Sequence, residues 1–155
     1  MNVFINLLVA DLERSRAFFT ALGFTFSDDF SDEMTLGMEI GGNCYSMLVT
    51  RERFATFTLR PPADAHETTE VLVSLQLESR EEVDSFMETA LAHGAEALRE
   101  PQDYGFMYSR DFADLDGHIW EPFWLDPAAA AAAAAAAKEG AAAATDATAA
   151  EEGAS

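Results

Sequence analysis

One order of elements occurs twice in this 155-residue chain, and that repeat constrains the fold more than any other feature. Val3 to Val9 is an apolar run that reads as a buried strand. Asp11 is placed to cap a helix, with Leu12, Ser15, Phe18, Phe19 and Leu22 at helical spacing and Gly23 closing it. Three short β-like stretches follow: Phe24 to Phe30, Thr35 to Ile40 and Asn43 to Thr50, the last two joined by Gly41-Gly42.

The second pass opens with Val71 to Leu77. Ser79-Arg80-Glu81-Glu82 then matches a capping box, in which Ser caps the first turn and Glu reaches back. Val83, Phe86, Met87 and Ala90 form the helical stripe, and Gly94 ends it. Strands are expected over Ala95 to Arg99, Met107 to Ala113 and His118 to Leu125, with Asp116-Gly117 as the closing hairpin turn. Aligning Val9 with Leu77 superposes Phe18 on Phe86 and Phe19 on Met87. The reading is α+β: two βαβββ modules that pack together, because neither covers a sheet face alone. The folded domain spans 1–126, with half 1 at about 1–50, a linker at about 51–70 holding Pro61-Pro62, and half 2 at about 71–126. From Pro127 on, the Ala-rich stretch 127–155 holds no large apolar residue, which predicts a disordered tail.

Charge and leader signals exclude several function classes. The formal net charge is −19. All eight arginines and all but four of the 28 acidic residues precede Pro127. Phosphate affinity comes from Lys and Arg, so no nucleic-acid partner is expected; the acidic surface reads first as an aid to solubility, with attraction of a cationic small-molecule ligand as the alternative. Ten alanines are too few and too weakly apolar to span a bilayer, so no membrane partner is expected. Asn2, Asn6 and Asp11 break any secretory signal, and the single Cys44 allows no internal disulfide, which places the chain in the cytoplasm.

Two segments resemble one family. Residues 5–24, INLLVADLERSRAFFTALGF, match a V-x-D-x-x-x-S-x-x-F-[YF]-x-x-L-G-F pattern. Residues 100–124 carry D-x-D-G-[NH]-x-x-E as Asp114, Asp116, Gly117, His118 and Glu121. Both are similar to the glyoxalase, bleomycin-resistance and extradiol dioxygenase proteins of the vicinal oxygen chelate superfamily, in a lactoylglutathione lyase-like branch. The resemblance implies a curved mixed sheet around a cavity, and a homodimer with ligand sites formed between subunits.

Metal-dependent members of that family hold a divalent ion with four ligands, which here fall on Phe4, Leu72, Ser46 (or Met47) and Glu121. Only Glu121 is a metal donor, and amide or hydroxyl oxygens at Asn6 or Ser74 are weak partners for a transition ion. The expectation is therefore no cofactor and a mostly apolar cavity with a degraded metal site. Phe4, Asn6, Leu8, Ile119 and Phe123 line that cavity by strand alternation, joined by Tyr45 and Met47, or Cys44 and Ser46 in the other register, and Tyr108 and Arg110 are expected at the cavity as well. Glu121 is bonded to a donor such as Tyr45, Tyr108 or Arg110, or serves as a general base. The alternative is a lyase or isomerase of the lactoylglutathione lyase (glyoxalase I) type with Zn, Ni, Mn or Fe on Glu121, its one retained ligand.

Overall fold

The computed structural model describes residues 1–137. The element order is β1 (Val3–Val9), α1 (Leu12–Ala21), β2 (Thr25–Asp32), β3 (Thr35–Gly41), β4 (Cys44–Thr50), α2 (Arg51–Phe57), β5 (Leu72–Gln76), α3 (Arg80–Ala92), β6 (Glu96–Ala97), β7 (Gln102–Asp103), β8 (Met107–Ser109), β9 (Phe112–Ala113) and β10 (Ile119–Leu125). The strands form two sheets, β1-β4-β3-β2 from the first half and β6-β9-β10-β8-β7 from the second, with β5 added alongside β10. Each half opens with a strand that runs parallel to that half's last strand: β1 beside β4, and β5 beside β10. The α+β repeat of βαβββ units is thus present in both halves.

Each helix starts where a side-chain oxygen meets the first free amides. Asp11 accepts from the amide of Arg14 at 3.0 Å, and Ser79 from that of Glu82 at 3.1 Å. The capping box is modified: the Glu82 carboxylate accepts from the amide of Glu78 at 2.8 Å rather than from that of Ser79. Helices α1 and α3 cover one face of the sheets. Phe18, Phe19 and Met87 bury there with Leu7, Val9, Leu36, Met38, Leu48, Val73, Phe112 and Trp120 in one core drawn from both halves. Ring contacts cross between the halves, Phe19 lying 5.1 Å from Trp120 and Phe18 6.3 Å from Phe112.

Polar contacts join the halves at the Asp114–His118 hairpin. One Asp116 oxygen accepts from the Ala10 amide at 2.9 Å and from Arg14 Nη2 at 2.8 Å. The other lies 3.3 Å from Ser15 Oγ, and His118 Nε2 donates to the Leu8 carbonyl at 2.7 Å. Asp114 is buried, which raises its pKa, and it accepts from the amides of Asp116 and His118 and from Trp120 Nε1. The motif that carries the family resemblance is, in this chain, the clasp between the two halves.

Three expectations need correction. The strand expected over Met107 to Ala113 is broken at Arg110-Asp111 into β8 and β9. The linker holds a helix, α2, which Thr50 caps through the Arg53 amide. The disordered tail was expected to start at Pro127, yet 127–137 are helical. Asp126 accepts from the amides of Ala128 and Ala129 at 2.9 and 3.1 Å, so the alanines, the best helix formers, begin from a capped end. Residues 138–155 of that expected tail lie outside the described residues.

Candidate functional site

The helices leave the opposite face of each sheet open. On β1 the residues alternate, Leu7 and Val9 buried under the helices and Phe4 and Asn6 exposed on the open face. In the β1–β4 register Phe4 lies beside Tyr45 and Asn6 beside Met47, so Tyr45 and Met47 share the open face. Ser46 is fully buried on the other side, which decides between the two registers.

An aromatic group covers this part of the open face. Phe4 stacks on Tyr45 with centroids 5.1 Å apart, and Phe30 meets both rings edge-on at 5.3 and 5.1 Å. Phe30 gets there through an irregularity between Ser27 and Asp32 that folds β2 over Gly37. A Cβ at Gly37 would lie only 2.4 Å from that of Phe30, so the glycine is what lets the ring lie down.

On β10, Ile119, Glu121 and Phe123 share the open face, while Trp120 and Pro122 are buried beneath it. Ser74 is directly beside Glu121 in the register and donates its hydroxyl to Glu121 Oε2 at 2.7 Å. Glu121 Oε1 lies 3.7 Å from Arg99 Nη2, and Arg99 Nε is paired with the buried Asp111. The hydrogen bond to Asp111 holds the Arg99 guanidinium pKa above its usual value. Ser74, Glu121, Arg99 and Asp111 thus form a polar group on a face that also carries Leu72, Gln76, Ile119 and Phe123.

Tyr108 and Arg110 do not belong to it. Tyr108 pairs with Trp124, one step out of phase with Glu121 and Phe123, and so points to the helix side. Its hydroxyl donates to Asp84 of α3 at 2.8 Å, and Arg110 Nη1 donates to the same carboxylate oxygen at 3.0 Å. Burial, then the Asp84 contact, raises the Tyr108 pKa. The hydrogen-bond donor to Glu121 is Ser74, not Tyr45, Tyr108 or Arg110 as expected.

A cavity of about 770 Å³ opens beside β1, between the linker and the start of β10. Asn6, Leu8, Phe54, Arg60, His118 and Ile119 are among its walls. Of the cavity residues expected from sequence, it takes in Asn6, Leu8 and Ile119, while Tyr108 and Arg110, expected there too, lie on the helix side. Phe4, Tyr45 and Met47 lie on the same sheet face but outside these walls, and Phe123 lies further along β10. Arg99, Asp111 and Arg60 were not foreseen, since they stand in short or irregular segments where no periodicity marks a face.

The donor set does not suit a divalent metal. Phe4 and Leu72 offer no ligand atom, Met47 only a thioether and Ser46 a buried hydroxyl, and Glu121 is held between Ser74 and Arg99. Among the described residues no group of three or more His, Cys, Asp or Glu is placed to hold a metal ion, and no helix is long and apolar enough to cross a membrane.

Known proteins share this architecture. A hypothetical protein from S. aureus is 29% identical with a TM-score of 0.69, covering 80% of this chain and 92% of that one. A glyoxalase/bleomycin resistance protein/dioxygenase from Nocardioides is 27% identical, with a TM-score of 0.63 and coverage of 81% and 83%. A fosfomycin resistance protein from Listeria monocytogenes is 22% identical, with a TM-score of 0.58 and coverage of 80% and 89%, a likeness of fold alone. A search of curated proteins finds no match. The family model for the Glyoxalase/Bleomycin resistance protein/Dioxygenase superfamily matches residues 3–121, nearly all of the two halves. The chain belongs to that superfamily.

Proposed function

We propose that this protein is a metal-free binding protein for a small organic molecule, working in the cytoplasm as a homodimer. One observation carries the reading: of the four positions where the family places metal ligands, three hold Phe4, Leu72 and Ser46 (or Met47), and the fourth, Glu121, already has Ser74 and Arg99 as partners. An ion on the remaining Glu121 oxygen would stand beside the cationic Arg99 guanidinium, 3.7 Å away, and would find no strong donor at the other three positions. The dimer is supported by the first strand of each half, where Val3, Phe4 and Leu72 stay exposed on edges that a second copy would cover.

The alternative, a divalent-metal lyase or isomerase of the glyoxalase I type, has Glu121 as its support. Elemental analysis of the purified protein, with a thermal-shift scan over zinc, nickel, manganese and iron, separates the two. No bound metal and no shift are expected. A stoichiometric metal that is lost in Glu121→Ala, together with turnover of methylglyoxal and glutathione, would establish the enzyme instead.

A further inference from the structure

The polar group on the second sheet has a geometry that selects a ligand head. The Nε of Arg99 is paired with Asp111, a residue only 4% exposed, which fixes the guanidinium plane. The Arg99 side chain as a whole is half exposed, at 49%. Its Nη2 stands 3.7 Å from Glu121 Oε1, beyond hydrogen-bond range. Glu121 is fixed in turn by the Ser74 hydroxyl on Oε2, and Oε1 has no hydrogen-bond donor among the described residues. A held donor and a held acceptor therefore stand side by side, close but not bonded to each other.

We propose that Arg99 and Glu121 take the head of a neutral carboxamide, whose carbonyl oxygen accepts from Arg99 Nη2 and whose NH₂ donates to Glu121 Oε1. An amide presents an acceptor and a donor on one edge, which is what this pair asks for. A carboxylate head would bond Arg99 but face two like charges, Glu121 and Asp111. An ammonium head would bond Glu121 but face the guanidinium. The acidic surface favours the approach of cations, yet the contact at the head is decided by these two groups. The body of the ligand lies over Leu72, Ile119 and Phe123, the apolar residues that flank Ser74 and Glu121 on the same face. The assignment rests on the metal-free reading, since an ion on Glu121 would take the oxygen the amide needs.

Three matched probes test it on the full chain: phenylacetamide, phenylacetate and phenethylamine, titrated by calorimetry and by NMR. The wild-type protein should bind the amide about tenfold or more tightly than either charged probe, with shifts centred on Ser74 and the Arg99 Nε–H. Glu121→Gln should move the preference toward phenylacetate, and Arg99→Gln toward phenethylamine. Opposite shifts in two single variants could not come from a general loss of fold. Failure of the wild type to bind any probe, a preference for a charged head, or an order unchanged in both variants would overturn the assignment. A stoichiometric metal in the purified protein would instead overturn the metal-free reading beneath it.

Discussion

At the scale of single residues, cations on this acidic chain are few, and Arg14, Arg53, Arg80, Arg99 and Arg110 are each paired with a different aspartate. Arg80 donates to both oxygens of Asp103, at 2.6 and 2.9 Å, and lies over the rings of Tyr108 and Trp124. The contact with Arg80, helped by the Gly105 amide, lowers the Asp103 pKa from 3.8 to about 2. Because the folded value is the lower one, the contribution of this pair is fully present above pH 3.8 and is lost as pH falls toward 2. Melting temperature followed between pH 5 and 2 should therefore decline less steeply in Asp103→Asn than in wild type, with the two curves converging at the acid end. Parallel curves would show that the pair contributes nothing measurable. The face a residue lies on was legible where strand alternation governs it: Phe4, Asn6, Ile119, Glu121 and Phe123 all lie on the face expected. The faces of Tyr108 and Arg110 were not, because the pairing of β8 with β10 is a property of two strands together and is written in neither.

At the scale of elements, the two βαβββ units were readable because each helix pairs an apolar stripe with a capping residue and a closing glycine. Helix α2 escaped notice for the opposite reason, since it has seven residues and none is buried. The break between β8 and β9 coincides with Arg110 and Asp111, whose side chains go to opposite partners, Asp84 on the helix and Arg99 on the open side. The closing hairpin is held by the linker as well as by α1. Gly117 has φ +90°, and a Cβ there would come within 2.7 Å of the backbone at Ala65 and His66. Gly117→Ala should thus cost about 1–3 kcal/mol from conformational strain and this clash, read as a lower midpoint in urea. A variant as stable as wild type would mean that the linker does not rest on the hairpin in solution.

At the scale of the molecule, helices and core join the halves on one side, while the open faces keep apolar residues in contact with water. Phe4 remains 42% exposed and Leu72 44%. Light scattering should accordingly report twice the 16.8 kDa mass of the chain, and Phe4→Asp should return it to the monomer by placing a charge on that surface. A monomeric wild type at micromolar concentration would refute the homodimer. The aromatic group on the first sheet also bears on how such a protein can change over generations. Phe4 fills a position where metal-dependent relatives keep a ligand, and Tyr45 and Phe30 have closed around its ring. A histidine at position 4 would gain one nitrogen donor while stripping two rings of their partner, with Leu72 and Met47 still unable to help. On the metal-free reading proposed above, any step toward a metal site at this position begins with a loss of packing, so the filled site works as a ratchet.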